Sequence, residues 1–296
     1  MTRLTVDDIE GIRAQLVQYD RQLVSVTGRT LLGIGAWASG LEDEGHLQRL
    51  APGIKMAVVP IHSGLGVISG FAEAVCGILL HLGFDAMIPG CSDVAGFAYA
   101  LDMGAQVILA ADDERFVAFC PRQGKTVDNS RATANGFVAG LDLMAGGLNG
   151  KGVLVIGCGP VGRWAVEVLL KRKSRVCVVD QAAEKAENLS RWARSAFQTD
   201  LQVGPDLEQA LSTHHLIVDA TNATEVIHAR HVTANTHVAA PGMPIGVTPR
   251  AREKLADRIL HDPLQIGVAT MACQAARIVH ERPVSLNPTA HHGGSE

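Results

Sequence analysis

Three glycines and one aspartate of the chain have the spacing of a dinucleotide-binding site. Gly157, Gly159 and Gly162 form the pattern G-x-G-x-x-G, and Asp180 follows about 20 residues later. In such a site the first glycine allows a tight turn, the second lets the backbone approach a pyrophosphate, and the third lets a helix pack closely on a strand. The aspartate can accept hydrogen bonds from an adenosine ribose, whereas a 2′-phosphate would meet a like charge. The pattern therefore favours NAD over NADP as the cofactor.

The residues around this motif predict the elements that would position it. Residues 153–156 are a β-branched run that suits one buried strand, an apolar helical pattern extends to Leu170, and residues 175–179 predict a second strand. Pro160 and Val161 begin the helix, where unpaired N–H groups and a partial positive charge suit phosphate groups. Because strand, helix, strand and acid follow in the required order, we predict a βαβ unit that binds a nucleotide. An ordinary glycine-rich helix start is the alternative.

Two later loops predict the nicotinamide side of the same site. Ala220 and Thr221 follow the predicted strand HLIVD, and Pro241 and Gly242 follow the predicted strand THVAA. Ligands of doubly wound sheets bind beyond the carboxyl ends of the strands, so both loops are candidate walls of the site. Their small residues would let a nicotinamide ring lie against the backbone. The alternative is that both are plain turns.

Two loops in the first half predict a substrate side. His62, Ser63 and Gly64 follow the predicted strand VVPI and precede a helix. Their N–H groups could hold a substrate carboxylate, or Ser63 could simply cap the helix. Asp112 and Asp113 follow the predicted strand VILA. One of these acids could face the cleft and bind an amine, or both could be solvated turn residues.

Strand–helix alternation in both halves predicts the fold class. We expect an α/β protein of two domains, a smaller N-terminal α/β domain and a C-terminal Rossmann-type doubly wound parallel sheet, with a cleft between them. The chain of 296 residues is long enough for two such domains. The predicted segments are an N-terminal substrate-side domain (1–130), a linking helix (131–147), an NAD-binding domain (148–262), a C-terminal helix (263–281) and a flexible tail (282–296).

Composition argues against several other classes of protein. Hydrophobic residues make up 47% and charged residues 19% of the chain, and the net charge is −4, so nucleic-acid binding is not expected. The apolar segment 56–84 is interrupted by Pro60 and Glu73, which argues against a membrane span. The six cysteines are scattered without a C-x-x-C pair, which indicates reduced residues and a cytoplasmic protein. None of the 12 histidines has metal-binding partners at a recognised spacing, so we expect no metal.

Beyond these motifs, segments in both halves resemble the pyrrolysine synthase family, the dehydrogenases that complete pyrrolysine biosynthesis. The resemblance extends from about residue 4 to about residue 276, and its A-D-D, D-V-A-G-F and D-P-L-Q-I-G segments are more specific than the nucleotide motif. The segments that carry it are LT (4–5), VPIHSGLG (59–66), SGFAE (69–73), GFD (83–85), DVAGF (93–97), GAQVILAADD (104–113), GCGPVG (157–162), DAT (219–221), PGMP (241–244) and DPLQIGVATM (262–271).

The resemblance implies NAD-dependent oxidation of the ornithine-side δ-amine of 3-methylornithyl-N6-lysine by a homodimer. The imine would hydrolyse with release of ammonia, and the α-amine would condense on the aldehyde to close the pyrroline ring. It also implies that Leu4 and Ser63 contact the substrate and that Asp112 lines the cleft near the reacting end. Asp262 matches an acid of the family that stands just before the P-L segment. Because an ammonium group must lose a proton before hydride can leave its carbon, Asp112 or Asp262, directly or through a water, is the predicted proton acceptor.

Four positions depart from the family pattern. The family has threonine and asparagine where His62 and Leu65 stand, glutamate where Asp262 stands and glycine where Gln265 stands. The leucine removes possible hydrogen bonds to the substrate, and the shorter aspartate leaves a gap that a water could fill.

Two other functions compete with pyrrolysine synthesis. One is another two-domain NAD enzyme, such as an amino-acid or methylenetetrahydrofolate dehydrogenase, and the other is a non-catalytic NAD-sensing module. Enzymes of the first kind usually carry a lysine at the end of an N-terminal strand, for which the chain has no equivalent. The acids expected in the cleft argue against the sensing module.

Overall fold

The computed structural model describes residues 4–41, 43–66 and 68–281, which form two β-sheets with helices packed around them. The tail predicted over residues 282–296 lies outside the described residues. The strands are β1 (Lys55–Val59), β2 (Asp85–Met87), β3 (Val107–Ala111), β4 (Phe116–Cys120), β5 (Lys125–Asp128), β6 (Gly152–Ile156), β7 (Arg175–Val179), β8 (Gln202–Val203), β9 (Leu216–Asp219), β10 (His237–Ala239) and β11 (Ile259–Leu260). The helices are α1 (Val6–Ile9), α2 (Ile12–Thr27), α3 (Leu31–Ala38), α4 (Glu44–Leu50), α5 (Phe71–His81), α6 (Asp93–Asp102), α7 (Asn129–Met144), α8 (Pro160–Lys171), α9 (Ala183–Phe197), α10 (Leu207–Thr213), α11 (Pro249–Leu255) and α12 (Gln265–His280). Among these described helices, none is long and apolar enough to cross a membrane.

The first sheet has the strand order β2-β1-β3-β4-β5. β1 pairs parallel with β2 and β3, whereas β4 pairs antiparallel with β3 and β5. Alternate residues of β1 face opposite sides: Met56 and Val58 join the large core, while Ala57 and Val59 join a smaller cluster with α6. The parallel strands direct their carboxyl ends, and the loops that follow them, to one edge of the sheet.

The second sheet has the order β8-β7-β6-β9-β10-β11, and all of its paired strands are parallel. The chain order reverses between β6 and β9, and doubly wound sheets bind their ligands at such a switch point. Val153, Leu154 and Val155 of β6 are fully buried, as expected of a parallel strand that is covered on both faces. The predicted α/β fold with a Rossmann-type parallel sheet is confirmed.

Two long helices, α7 and α12, join the sheets. α7 follows the last strand of the first sheet and packs against α8, and α12 returns from the second sheet to pack against α3, α5 and α7. This close packing needs glycine: a Cβ at Gly136 would lie 2.5 Å from Oγ1 of Thr270, and one at Gly35 would lie 2.8 Å from Sγ of Cys273. The helices thus connect the two halves through a shared core. The division of the chain into the five predicted segments stays a prediction.

Two helix boundaries differ from the sequence-based expectation. The pattern of residues 5–26 predicts one helix, whereas the structure has α1 and α2, because the backbone at Gly11 takes a left-handed conformation with φ 80°. α7 begins at Asn129, earlier than the predicted linking helix. The reason is a cap: the side chain of Asp128 accepts hydrogen bonds from the first N–H groups of α7, including that of Ser130 at 3.0 Å.

Candidate active site

A cavity of about 1090 Å³ lies where the carboxyl ends of strands from both sheets meet. The loops after β1 and β3 line it from the first sheet, and the loops after β6, β7, β9 and β10 line it from the second. α7, the loop after β8 and the segment that joins β11 to α12 also line it. Small-molecule sites usually measure about 300–1000 Å³, so the cavity is large for a site of this kind.

Most of the residues that the sequence predicts for the site meet at this cavity. Those that line it are Leu4, Asp112, Gly157, Gly159, Pro160, Val161, Asp180, Ala220, Thr221, Pro241, Gly242 and Asp262. His62, Ser63 and Gly64 are exposed and do not belong to the described wall, although Leu65 and Gly66 of the same loop do. The substrate contacts expected of these three residues stay predictions.

The glycine motif forms the cofactor side of the cavity. Gly157 takes a left-handed conformation (φ 92°), and a Cβ there would lie 3.0 Å from the carbonyl oxygen of Ala220. A Cβ at Gly162 would overlap the carbonyl oxygen of Gly157, so α8 can start this close to β6 only with glycine. A Cβ at Gly159 would meet no atom of the described chain within 4 Å, which leaves the backbone open toward the cavity. This cradle at the N-terminus of a 12-residue helix fits a pyrophosphate.

Asp180 completes the cofactor side at the end of β7. Its Oδ2 accepts a hydrogen bond of 2.7 Å from the N–H of Cys158, and its Oδ1 accepts one of 2.9 Å from the N–H of Ala182. The carboxylate thereby ties the glycine loop to the end of β7. Because a carboxylate has about four acceptor positions, Asp180 keeps capacity for the hydroxyl groups of a ribose.

The loops after β9 and β10 contact each other along the wall. The N–H of Gly242 donates to the carbonyl oxygen of Asp219 at 3.1 Å, and a Cβ at Gly242 would overlap the carbonyl oxygen of Thr221. Asp219 is fully buried, and its Oδ1 accepts hydrogen bonds from the N–H and the hydroxyl group of Thr221. Burial raises the pKa of Asp219. The predicted contacts Ala220, Thr221, Pro241 and Gly242 therefore lie in two loops that fix each other.

On the substrate side, Asp112 forms the turn at the end of β3. Its Oδ1 accepts hydrogen bonds from the N–H groups of Glu114 at 2.9 Å and Arg115 at 2.7 Å. These N–H donors stabilise the ionised carboxylate, so the pKa of Asp112 is lowered. A carboxylate of low basicity is suited to pair with an ammonium group and poorly suited to remove its proton.

Asp113 fixes the loop that follows β1. Its Oδ2 accepts a hydrogen bond of 2.7 Å from the N–H of Leu65. A Cβ at Gly64, which has φ 73°, would overlap the same oxygen, so the approach of loop and acid depends on glycine. Asp113 also lines the cavity, and the two neighbouring acids therefore have different surroundings.

Asp262 lies where the chain passes from β11 to α12. The residue is 4% exposed and lines the cavity. Its Oδ1 accepts hydrogen bonds from the N–H groups of Leu264 at 3.0 Å and Ile266 at 3.2 Å, and its Oδ2 accepts one of 2.6 Å from the hydroxyl group of Tyr19. Burial raises the pKa of Asp262, and these hydrogen bonds oppose the shift. Protein donors thus satisfy both oxygens of the shorter side chain.

Three polar residues of α7 that no sequence pattern singled out also line the cavity. Asn129, Ser130 and Thr133 lie in its first turns, and the hydroxyl group of Thr133 donates to Oδ1 of Asn129 at 3.4 Å. Thr133 is four residues after Asn129 and three after Ser130, and residues three or four apart are neighbours on a helix surface, so the spacing carries a signal. The predicted linking helix (131–147) does not reveal this spacing, because it begins after Asn129 and Ser130.

Comparison with known proteins identifies the family. Residues 8–127 match the family model described as pyrrolysine biosynthesis protein PylD, N-terminal domain, and residues 144–239 match the one described as putative NAD(P)-binding. Over 273 residues the chain is 30% identical to the pyrrolysine synthase of Methanosarcina barkeri, covering 92% of this chain and 97% of the relative. It is 29% identical to the pyrrolysine synthase of Methanosarcina acetivorans, covering 92% and 98%. The chain belongs to the pyrrolysine synthase family.

Solved structures share this fold at low sequence identity. Quinate dehydrogenase from Corynebacterium glutamicum, in complex with NAD, aligns with a TM-score of 0.53 at 16% identity and covers 78% of this chain and 94% of that chain. Shikimate dehydrogenase from Aquifex aeolicus aligns with a TM-score of 0.50 at 17% identity and covers 77% and 98%. These likenesses concern the fold alone.

The two family models match different parts of the cavity wall. Gly157, Asp180 and Thr221 fall within the NAD(P)-binding match, and Asp112 falls within the N-terminal match, whereas Asp262 lies outside both. The predicted nicotinamide dinucleotide cofactor and the predicted oxidoreductase class are confirmed. This member of the pyrrolysine synthase family thus carries its two candidate acids in different parts of the chain.

Proposed function

We propose that the chain oxidises the ornithine-side δ-amine of 3-methylornithyl-N6-lysine with NAD in the last step of pyrrolysine biosynthesis. The C–N single bond becomes an imine as a hydride and a proton leave, and water converts the imine to an aldehyde and ammonia. The α-amine then condenses on the aldehyde with loss of water and closes the pyrroline ring. One observation carries the proposal: the acids Asp112 and Asp262 line the same cavity as the cofactor loops.

The charges of the cavity wall support an amine as the substrate. Outside the cofactor loops, the charged residues of the described wall include Asp112, Asp113 and Asp262. Lys185, in the first turn of α9 on the cofactor side, is the only lysine or arginine among the described wall residues. An ammonium group would therefore meet carboxylates, whereas an anionic hydroxy acid would meet like charges.

The two acids have different roles in this proposal. Asp112, whose pKa is lowered by N–H donors, pairs with the δ-ammonium group and orients it. Asp262, whose pKa is raised by burial, is the proton acceptor, because a base works best when its pKa lies nearer to the working pH. Bound NAD supplies the hydride acceptor. Asp262 must be ionised to act, so activity should fall as the pH drops through its raised pKa.

The proposal includes NAD rather than NADP as the cofactor. The carboxylate of Asp180 is held in place by the N–H groups of Cys158 and Ala182, so it cannot turn away from a 2′-phosphate without losing both bonds. It also includes a homodimer, which rests on the family resemblance. Measuring the affinity for NAD and NADP tests the first statement, and light scattering tests the second.

The decisive experiment supplies purified protein with NAD and 3-methylornithyl-N6-lysine. NADH formation is followed by absorbance, and the product is examined by mass spectrometry. We expect NADH together with a product that is lighter than the substrate by one ammonia and two hydrogen atoms. Binding of NAD without oxidation of this substrate would refute the proposal, and oxidation of another amine instead would redirect it to a different amine dehydrogenase.

A further inference from the structure

A tyrosine that none of these steps uses contacts one of the two acids. The hydroxyl group of Tyr19 donates a hydrogen bond of 2.6 Å to Oδ2 of Asp262. Asp262 belongs to the described wall of the cavity, and Tyr19 does not. The tyrosine therefore acts on the acid and not on a molecule in the cavity.

The hydrogen bonds at Asp262 leave little room for a further donor. The N–H groups of Leu264 and Ile266 donate to Oδ1, the hydroxyl group of Tyr19 donates to Oδ2, and the N–H of Ile266 also reaches Oδ2 at 3.3 Å. A carboxylate offers about four acceptor positions, and these three donors make four contacts because the N–H of Ile266 is shared between both oxygens. The longest of the four contacts, at 3.3 Å, lies on Oδ2, the oxygen that Tyr19 contacts.

The helix that carries Tyr19 is itself anchored by the next residue. Oδ1 of Asp20 accepts a hydrogen bond from the N–H of Leu31 at the start of α3, and Oδ2 contacts Nε2 of His81 at the end of α5, both at 2.6 Å. α2 is therefore tied to two neighbouring helices beside the tyrosine. The hydroxyl group reaches Asp262 from a fixed helix, not from a loop.

We propose that Tyr19 is a positioning residue, which holds Oδ2 of Asp262 in place and keeps that carboxylate anionic so that it can accept the substrate's proton. The inference rests on the proposed function, in which Asp262 is the proton acceptor. A merely structural contact would hold α2 near the start of α12. A positioning role also sets the pH range in which the acid works.

The direction of the pH effect follows from the groups that face the pair. Burial raises the pKa of Asp262, whereas the hydrogen bond from Tyr19 and the nearby His261 lower it. The pKa of Tyr19 is raised well above its usual value by burial and by the carboxylates of Asp262 and Asp20. Tyr19→Phe removes a donor that stabilises the ionised carboxylate, so the pKa of Asp262 rises further. The acidic limb of the activity profile should therefore move to higher pH.

The kinetic test compares Tyr19→Phe with Tyr99→Phe across the pH range. Tyr99 is the other of the two tyrosines in the chain and lies exposed on α6. We expect the control to keep the wild-type profile and Tyr19→Phe to shift the acidic limb of kcat upward by about one pH unit, the size of one charge-assisted hydrogen bond. The KM for NAD should not change. An unshifted limb in a Tyr19→Phe protein with wild-type thermal unfolding overturns the positioning role.

A spectroscopic test of the pair does not depend on turnover. In Tyr99→Phe the remaining tyrosine is Tyr19, so tyrosinate absorbance in an alkaline titration follows its ionisation alone. We expect Tyr19 to stay protonated at a pH that ionises an exposed tyrosine, and the added change Asp262→Asn to lower its midpoint. If Tyr19 ionises at the pH of an ordinary tyrosine and Asp262→Asn does not change that pH, the proposed interaction between Tyr19 and Asp262 is overturned. If the titration shows the pair but the wild-type protein does not oxidise 3-methylornithyl-N6-lysine, the proposed function fails, and the positioning role is overturned with it.

Discussion

Replacing Asp180 by asparagine should weaken NAD binding while leaving the fold intact. The N–H groups of Cys158 and Ala182 donate to separate oxygens of this carboxylate, at 2.7 and 2.9 Å. An amide has one acceptor oxygen, so its NH₂ group would face one of these donors, and the charge that strengthens both bonds would be lost. Both bonds are only part-buried, so water can replace a lost one in the free protein, but once a bound ligand excludes that water the unpaired donor costs about 1–3 kcal/mol. That loss corresponds to about 5- to 150-fold weaker binding of a ligand that needs this loop.

Isothermal titration calorimetry with NAD measures this loss of affinity, and thermal unfolding without NAD checks the fold. Asp200 offers a matched control, because it is an exposed aspartate in the same half that pairs with Arg194 outside the described cavity wall. Asp200→Asn should bind NAD like the wild-type protein. Wild-type affinity in Asp180→Asn would refute both the anchoring of the glycine loop and the ribose contact.

Three further substitutions test other parts of the structure. Asp112→Asn should abolish turnover and retain NAD binding, because the carboxylate lies on the substrate side of the cavity; an unchanged kcat/KM would contradict its role. Gly162→Ala should abolish NAD binding, since its Cβ would overlap the carbonyl oxygen of Gly157, and calorimetry showing normal affinity would rule out this packing. Leu141→Ala, at a fully buried position of α7, should lower the free energy of unfolding by about 2–5 kcal/mol in a denaturant titration. A negligible loss there would mean that α7 is not part of a close-packed core.

The cofactor half could be predicted from the sequence because its signals are local. The strand VLVI, the glycines and Asp180 lie within one βαβ unit. Position 162 must be glycine because a Cβ there would overlap the carbonyl oxygen of Gly157, which is only five residues earlier. Helix α3 had no such signal. Its sequence LLGIGAWA is buried on nearly all sides, so it is apolar throughout and lacks the alternation of apolar and polar residues that indicates a helix.

The substrate half was less predictable because its contacts join distant parts of the chain. Asp112 and Asp113 follow the same strand, and the sequence left both of them as possible turn residues. The partner that distinguishes Asp113 is Leu65, 48 residues away, and the partner of Asp262 is Tyr19, 243 residues away. No period or motif connects residues at such separations, so these pairs emerge only once the sheets and helices are assembled.

The surroundings of Asp112 and Asp262 also suit them to different tasks. Asp112 is held by N–H groups of its own turn, so its position depends on a short segment at the surface. Asp262 is held by the start of α12 and by α2, and α12 packs against three helices of the first half. A Cβ at Gly267 in the first turn of α12 would lie 2.7 Å from Oγ1 of Thr133, which shows how closely that turn meets α7. A proton acceptor must be held at a fixed distance from the nitrogen whose proton it takes, and the anchored Asp262 meets that requirement better than an acid on a surface turn.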